Sequence, residues 1–129
     1  MKVLHIGGTG FLGSHIVRKL IQRNHDLTLI TRDPDREMPF DKSKVRFIKG
    51  DVLQFDKLEI SGKFDVLVYT AMVPFRPGRI SNKKFRDLEC ITRQYFQNTI
   101  ELARKLSCPL ILTSGASFET KGNEVADET

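Results

Sequence analysis

The sequence predicts an α/β fold: a doubly wound parallel sheet of about five strands in the order 3-2-1-4-5, with helices on its faces. Three observations predict it. Short, almost wholly apolar runs recur along the chain, as buried parallel strands require. Two segments of helical spacing separate some of these runs, and strands alternating with helices imply right-handed parallel crossovers. A cluster of glycines closes the first run and opens the first helix.

The first strand is read over Val3–Ile6, ending in glycines. From Phe11 to Arg23 the apolar residues Phe11, Leu12, Ile16, Val17, Leu20 and Ile21 fall at helical spacing, with a polar opposite face and Asn24 as the stop. Leu27–Thr31 is the second strand. Arg32–Lys44, polar and carrying two prolines, is a loop. Val45–Ile48 is the third strand, closed by Gly50, and Phe55–Ile60 a short helix. Asp65–Tyr69 is the fourth strand, and the two prolines of Val73–Gly78 make a loop. A long helix begins at a Ser81 or Asn82 cap. Its stripe is Phe85, Leu88, Tyr95, Phe96, Leu102, Ala103 and Leu106, and it stops before Pro109. Leu110–Thr113 is the fifth strand. Residues 1–118 are expected to form one domain and 119–129 a polar, acidic, poorly ordered tail.

Composition narrows the function. The chain has 129 residues, 40% hydrophobic and 29% charged, which suits a soluble domain with a modest core. No apolar run is long enough to span a bilayer, and Gly7 and Gly8 interrupt the N-terminal run too early for a signal peptide. The cytoplasm is the expected compartment. Cys90 and Cys108 suit reducing conditions and have no nearby His or Cys partners that would make a zinc site. The net charge of +5 raises a nucleic-acid partner. Against it, basic residues are interleaved with acids, as in Arg32-Asp33-Pro34-Asp35-Arg36, and lack the interleaved aromatics of a base-stacking surface.

The chemistry-bearing motif is Gly7-Gly8-Thr9-Gly10-Phe11-Leu12-Gly13. Gly7 permits the tight turn out of the strand, Gly10 lets the backbone approach a phosphate, and Gly13 lets the helix pack close to the sheet. The helix N-terminus then offers free N–H groups and partial positive charge to a pyrophosphate. The tip of the second strand selects the dinucleotide. An acid there binds a ribose 2′-hydroxyl, whereas an arginine accommodates a 2′-phosphate. The strand ends Ile30-Thr31-Arg32, with Arg36 nearby, so NADP is the expected cofactor and NAD the alternative, with Asp33 counting toward NAD.

These motifs resemble the extended short-chain dehydrogenase/reductase family of NAD(P)-dependent epimerases and dehydratases, a Rossmann-fold family, in a divergent branch. The resemblance covers nearly the whole chain. Gly50-Asp51-Val52 is similar to the family's Gly-Asp-apolar motif, which implies that Asp51 bonds the adenine amino group and Val52 lines the adenine pocket. Thr70, Ala71 and Met72 follow the fourth strand as the family's His-Leu-Ala-Ala does, which implies contact with ribose and pyrophosphate. Asn98–Ala103 resembles Asn-Leu-Leu-Glu-Ala-Ala, but Tyr95-Phe96 stand where Gly-Thr usually does. Leu112–Phe118 resembles the fifth strand and its sequel. The family's catalytic Ser/Thr slot falls on Gly115, which leaves Ser114 as the catalytic candidate, with Ser117 the other hydroxyl close to that slot.

The family's proton donor is the tyrosine of a Tyr-x-x-x-Lys pair. Val73 and Thr99 stand four residues after Tyr69 and Tyr95, so neither tyrosine makes such a pair. The expectation is the N-terminal cofactor part of an epimerase, dehydratase or reductase, with a nucleotide sugar or other small molecule as substrate. A five-stranded sheet ending there would expose its fifth strand and self-associate. The alternative is a non-catalytic NAD(P)-binding sensor or interaction module.

Overall fold

The computed structural model describes residues 1–73 and 81–114. Among the described residues five parallel strands form one sheet: β1 (Lys2–Ile6), β2 (Asp26–Thr31), β3 (Val45–Lys49), β4 (Val66–Tyr69) and β5 (Leu110–Leu112), in the order β3-β2-β1-β4-β5. This is the expected doubly wound order. The order in which the chain lays down its strands reverses between β1 and β4, which pair in parallel, Leu4 with Leu67 and Ile6 with Tyr69. A crevice opens at the C-terminal ends of the strands at such a reversal.

Side-chain alternation along the strands builds two cores. Leu4, Ile6, Ile30, Leu67 and Tyr69 face one side and pack with Leu102 and Ala103 of the long helix α2 (Asn82–Leu106). Val3, Leu27, Leu29, Val66 and Val68 face the other side, against Val17 of helix α1 (Phe11–Gln22). Ser81 caps α2, its Oγ accepting from the Lys84 N–H. The helix ends at Ser107, whose φ of 51° turns the chain out of it before Pro109. Asn24, also at positive φ, ends α1 as expected.

Three expectations change. Phe11 and Leu12 do not join the buried stripe: they are 87% and 49% exposed at the start of α1, whose buried residues are Gly13, Ser14 and Val17. The reason is geometric. The first turn of α1 overhangs the glycine turn, and only from Gly13 onward does the helix lie on the sheet. Likewise Phe85 is 61% exposed, because α2 meets the sheet through its C-terminal half. The short helix after β3 is a kinked 3-10 segment, Val52–Lys57, that begins earlier than expected because Asp51 caps it, its Oδ1 accepting from the Leu53 N–H. All of the expected loop Val73–Gly78 except Val73, and the expected tail over 119–129, lie outside the described residues, as do Gly115, Ser117 and Phe118.

Candidate dinucleotide site

The glycine turn is shaped by its neighbours. Gly7 has a φ of +88°, and a side chain there would run into the backbone of Thr70 and Ala71. A Cβ on Gly13 would collide with the Gly7 carbonyl and stand 2.7 Å from Thr70 Oγ1. These two glycines let the turn, the helix start and the end of β4 share one small volume. Gly10 differs. Among the described residues an added Cβ there would meet only the Gly7 oxygen, at 3.3 Å, a far milder contact than those at Gly7 and Gly13. Gly10 is exposed at the N-cap of α1, with no side-chain cap and no acidic residue in the first helical turn. An anion fits such a terminus, because the first N–H groups of a helix lack intrahelical acceptors.

A cleft runs from this turn along the strand ends. It is lined by Gly7 and Thr9 of the turn, Thr31 and Arg32 at the tip of β2, Gly50, Asp51 and Val52 after β3, and Tyr69, Ala71, Met72 and Val73 at and beyond β4. Ile6 and Ile30 at the strand ends and Tyr95 of α2 complete the lining. Eight of the sequence-derived candidates therefore meet in one place: Gly7, Thr9, Thr31, Arg32, Asp51, Val52, Ala71 and Met72.

The others stand differently. Gly10, Phe11, Leu12 and Gly13 form the helix start above the turn rather than the cleft wall. Arg36 is exposed in the loop after β2, where its carbonyl accepts from Lys42 Nζ at 3.5 Å, and does not line the cleft. Thr70 is buried under the turn instead of facing the cleft: its Oγ1 lies 2.9 Å from His5 Nε2 and 3.4 Å from the Ile6 carbonyl. Ser114 is exposed just beyond β5. Its neighbour Thr113 donates both its N–H and its hydroxyl to the Tyr69 carbonyl, each at 3.1 Å, which ties this strand end to the same rim of the sheet as the cleft.

Sequence reasoning missed two site features. Tyr95 was read only as part of an apolar stripe, yet its hydroxyl donates to Asp51 Oδ2 over 3.4 Å. The departure from the Gly-Thr pattern at this position was the available signal. Burial first, then the charge and hydrogen bond of Asp51, raise the Tyr95 pKa, with nearby Arg32 acting in the opposite sense. Tyr69 is pushed up to about 12, mainly by burial, with Tyr95 and Asp51 adding to it. Both phenols remain protonated at neutral pH. The second feature is His5, fully buried beneath the turn. Its Nδ1 has no hydrogen-bond partner among the described residues, and burial lowers its pKa to about 4. A histidine inside an apolar run gave no sign of this role.

Fold and site together define a dinucleotide-binding domain: a parallel sheet with a glycine turn at its switch point, an uncapped helix N-terminus, and a polar cleft across the strand ends. The profile of the NAD dependent epimerase/dehydratase family matches residues 3–128, and the chain belongs to that family as its NAD(P)-binding domain. Among curated relatives, the chain is 34% identical to the decarboxylating sterol-4-alpha-carboxylate 3-dehydrogenase ERG26 of Candida albicans, covering 98% of this chain and 38% of that protein. The human sterol-4-alpha-carboxylate 3-dehydrogenase is 32% identical over 96% of this chain and 31% of its own length. The chain thus spans about a third of the length of these relatives. Among solved structures, MoeE5 in complex with UDP-glucose and NAD superposes with a TM-score of 0.70 at 22% identity, covering 99% of this chain and 41% of that one, a likeness of fold.

Proposed function

We propose that this domain holds NADP as the cofactor part of an epimerase, dehydratase or reductase. The observation that carries the reading is the contrast among the three glycines. Gly7 and Gly13 are required by the domain's own packing, whereas at Gly10, at a helix N-terminus where a pyrophosphate would lie, an added Cβ would meet only the Gly7 oxygen, at 3.3 Å, among the described residues. Arg32, lining the cleft at the tip of β2, supplies the 2′-phosphate contact, with Arg36 as a second cation from the loop. Asp51 and Val52 receive the adenine, and Ala71 and Met72 the ribose and pyrophosphate. When bound, the nicotinamide supplies hydride transfer; the residues named here bind and orient it.

The substrate in this reading is a small molecule with an oxidisable hydroxyl. The relatives' names include a sterol-4-alpha-carboxylate and UDP-glucose, and a nucleotide sugar is the class we assign. Ser114, at the end of β5, is the hydroxyl proposed for the substrate side. Cytoplasmic location and association through the β5 edge belong to the same reading, and size-exclusion chromatography tests the latter.

Titration of NADPH and NADH fluorescence tests the cofactor assignment. Arg32→Ala is expected to weaken NADPH binding about tenfold or more, the worth of a charge-assisted hydrogen bond, and to spare NADH. Equal weakening of both would overturn the role of Arg32. Absence of binding by the wild type would overturn the whole reading.

A further inference from the structure

Tyr95 stands where the pattern resembled by Asn98–Ala103 carries a glycine. The substitution puts a ring and a hydroxyl into the cleft opposite Asp51 and Val52. Asp51 is then held from two sides. Its Oδ1 accepts from the Leu53 N–H at 3.0 Å, and its Oδ2 accepts from the Tyr95 hydroxyl at 3.4 Å. Asn98, nearly one helical turn further along α2, donates to the Val52 and Leu53 carbonyls at 3.0 and 3.2 Å. Helix α2 therefore grips both the backbone and the carboxylate of the segment that follows β3.

We propose that Tyr95 is a specificity-determining residue for the base of the dinucleotide: its ring walls the base end of the cleft, and its hydroxyl fixes the Asp51 carboxylate to admit a 6-amino purine and reject a 6-oxo purine. The inference rests on the dinucleotide reading of the cleft. An ionised carboxylate only accepts hydrogen bonds, and its two oxygens offer about four lone-pair sites. The bonds from Leu53 and Tyr95 use two of them and leave room for an exocyclic amine. Hypoxanthine presents a carbonyl oxygen at the same place, which would face the carboxylate with no proton between them. A carboxylate tied by two donors gives up at least one of those bonds if it swings aside to relieve that contact. With glycine at position 95 it would be fixed by Leu53 alone, beside an open wall.

The test compares the full 129-residue chain and its variants by titration with NADPH and with the hypoxanthine analogue of NADPH, with melting temperature measured in parallel. Wild type is expected to bind NADPH at least about tenfold more tightly than the analogue, the discrimination a charged hydrogen-bond partner provides. Tyr95→Phe keeps the wall and removes the donor. Its preference for the adenine form should fall about threefold or more with the melting temperature unchanged. Tyr95→Gly should lose affinity for both dinucleotides, and its preference should also fall. An unchanged preference in Tyr95→Phe, or wild-type affinity in Tyr95→Gly, overturns the assignment to Tyr95 while leaving the cofactor site in place. Failure of wild type to bind either dinucleotide overturns the cofactor reading and this assignment with it.

Discussion

At Gly10 an added Cβ would meet only the Gly7 carbonyl, whereas at Gly13 it would also press on Thr70 Oγ1 at 2.7 Å. The two substitutions to alanine should therefore separate stability from binding. Gly13→Ala is expected to destabilise the domain by about 1–3 kcal/mol, the range for overpacking a tight contact, visible in urea denaturation. Gly10→Ala should leave the midpoint nearly unchanged and reduce NADPH affinity. A comparable loss of stability at Gly10 would show that the turn, and not a ligand, requires that glycine. His5 gives a prediction in pH. Its native pKa, about 4, lies below the 6.5 of the unfolded chain. Between these values the unfolded state binds a proton that the native state refuses, so stability falls as the pH drops from 6.5 toward 4 and is unaffected by this group above 6.5. The full shift corresponds to roughly 3 kcal/mol. His5→Leu should flatten that part of the pH–stability curve, as read by melting temperature at pH 7.5 and 5. The glycine spacing was legible in the sequence. The different reasons for the glycines, and the buried His5–Thr70 pair beneath them, were not, because they depend on what β4 brings within reach.

The elements were legible where an apolar period continues over a buried face and less so where a helix overhangs its support. The strands lie within a residue or so of their expected bounds, since a strand covered on both faces must be apolar throughout. Periodicity placed Phe11 and Phe85 in buried stripes, but neither residue has sheet beneath it. The 3-10 segment Val52–Lys57 is the element that α2 holds through Asn98. Asn98→Ala would leave the Val52 and Leu53 carbonyls without this donor. A loss of about 1–3 kcal/mol is expected, the penalty for an unsatisfied buried polar group. Binding of AMP, which probes the base end of the cleft, should weaken as well. AMP affinity unchanged in a destabilised Asn98→Ala variant would show that this tie serves the fold alone.

Over the whole molecule the two faces of the sheet are covered unequally. Helix α2 overlies Leu110 and Leu112 of β5, while Ile111, pointing to the α1 side, is 57% exposed. Among the described residues β5 pairs with β4 alone and forms an edge. Ile111→Lys is expected to change stability by no more than about 0.5 kcal/mol, as for an exposed position, and to shift any associating species toward monomer in size-exclusion chromatography. A strongly destabilised Ile111→Lys would show that this face is covered in solution. Within the described residues no helix is long and apolar enough to cross a membrane.

The sequence by itself determined the strand order, the glycine turn and its place before a helix, and Arg32, Arg36 and Asp51 as candidates for a dinucleotide site. These follow from local periodicity and from spacings that only certain backbone shapes tolerate. Tertiary structure alone decided which candidates meet. It lined the cleft with Arg32 and left Arg36 outside it, sank Thr70 under the turn, and swung Tyr95 from an apolar stripe onto Asp51. The physical reason is distance along the chain. Tyr95 and Asp51 are 44 residues apart, and no local pattern records a hydrogen bond that exists only once α2 has docked on the sheet.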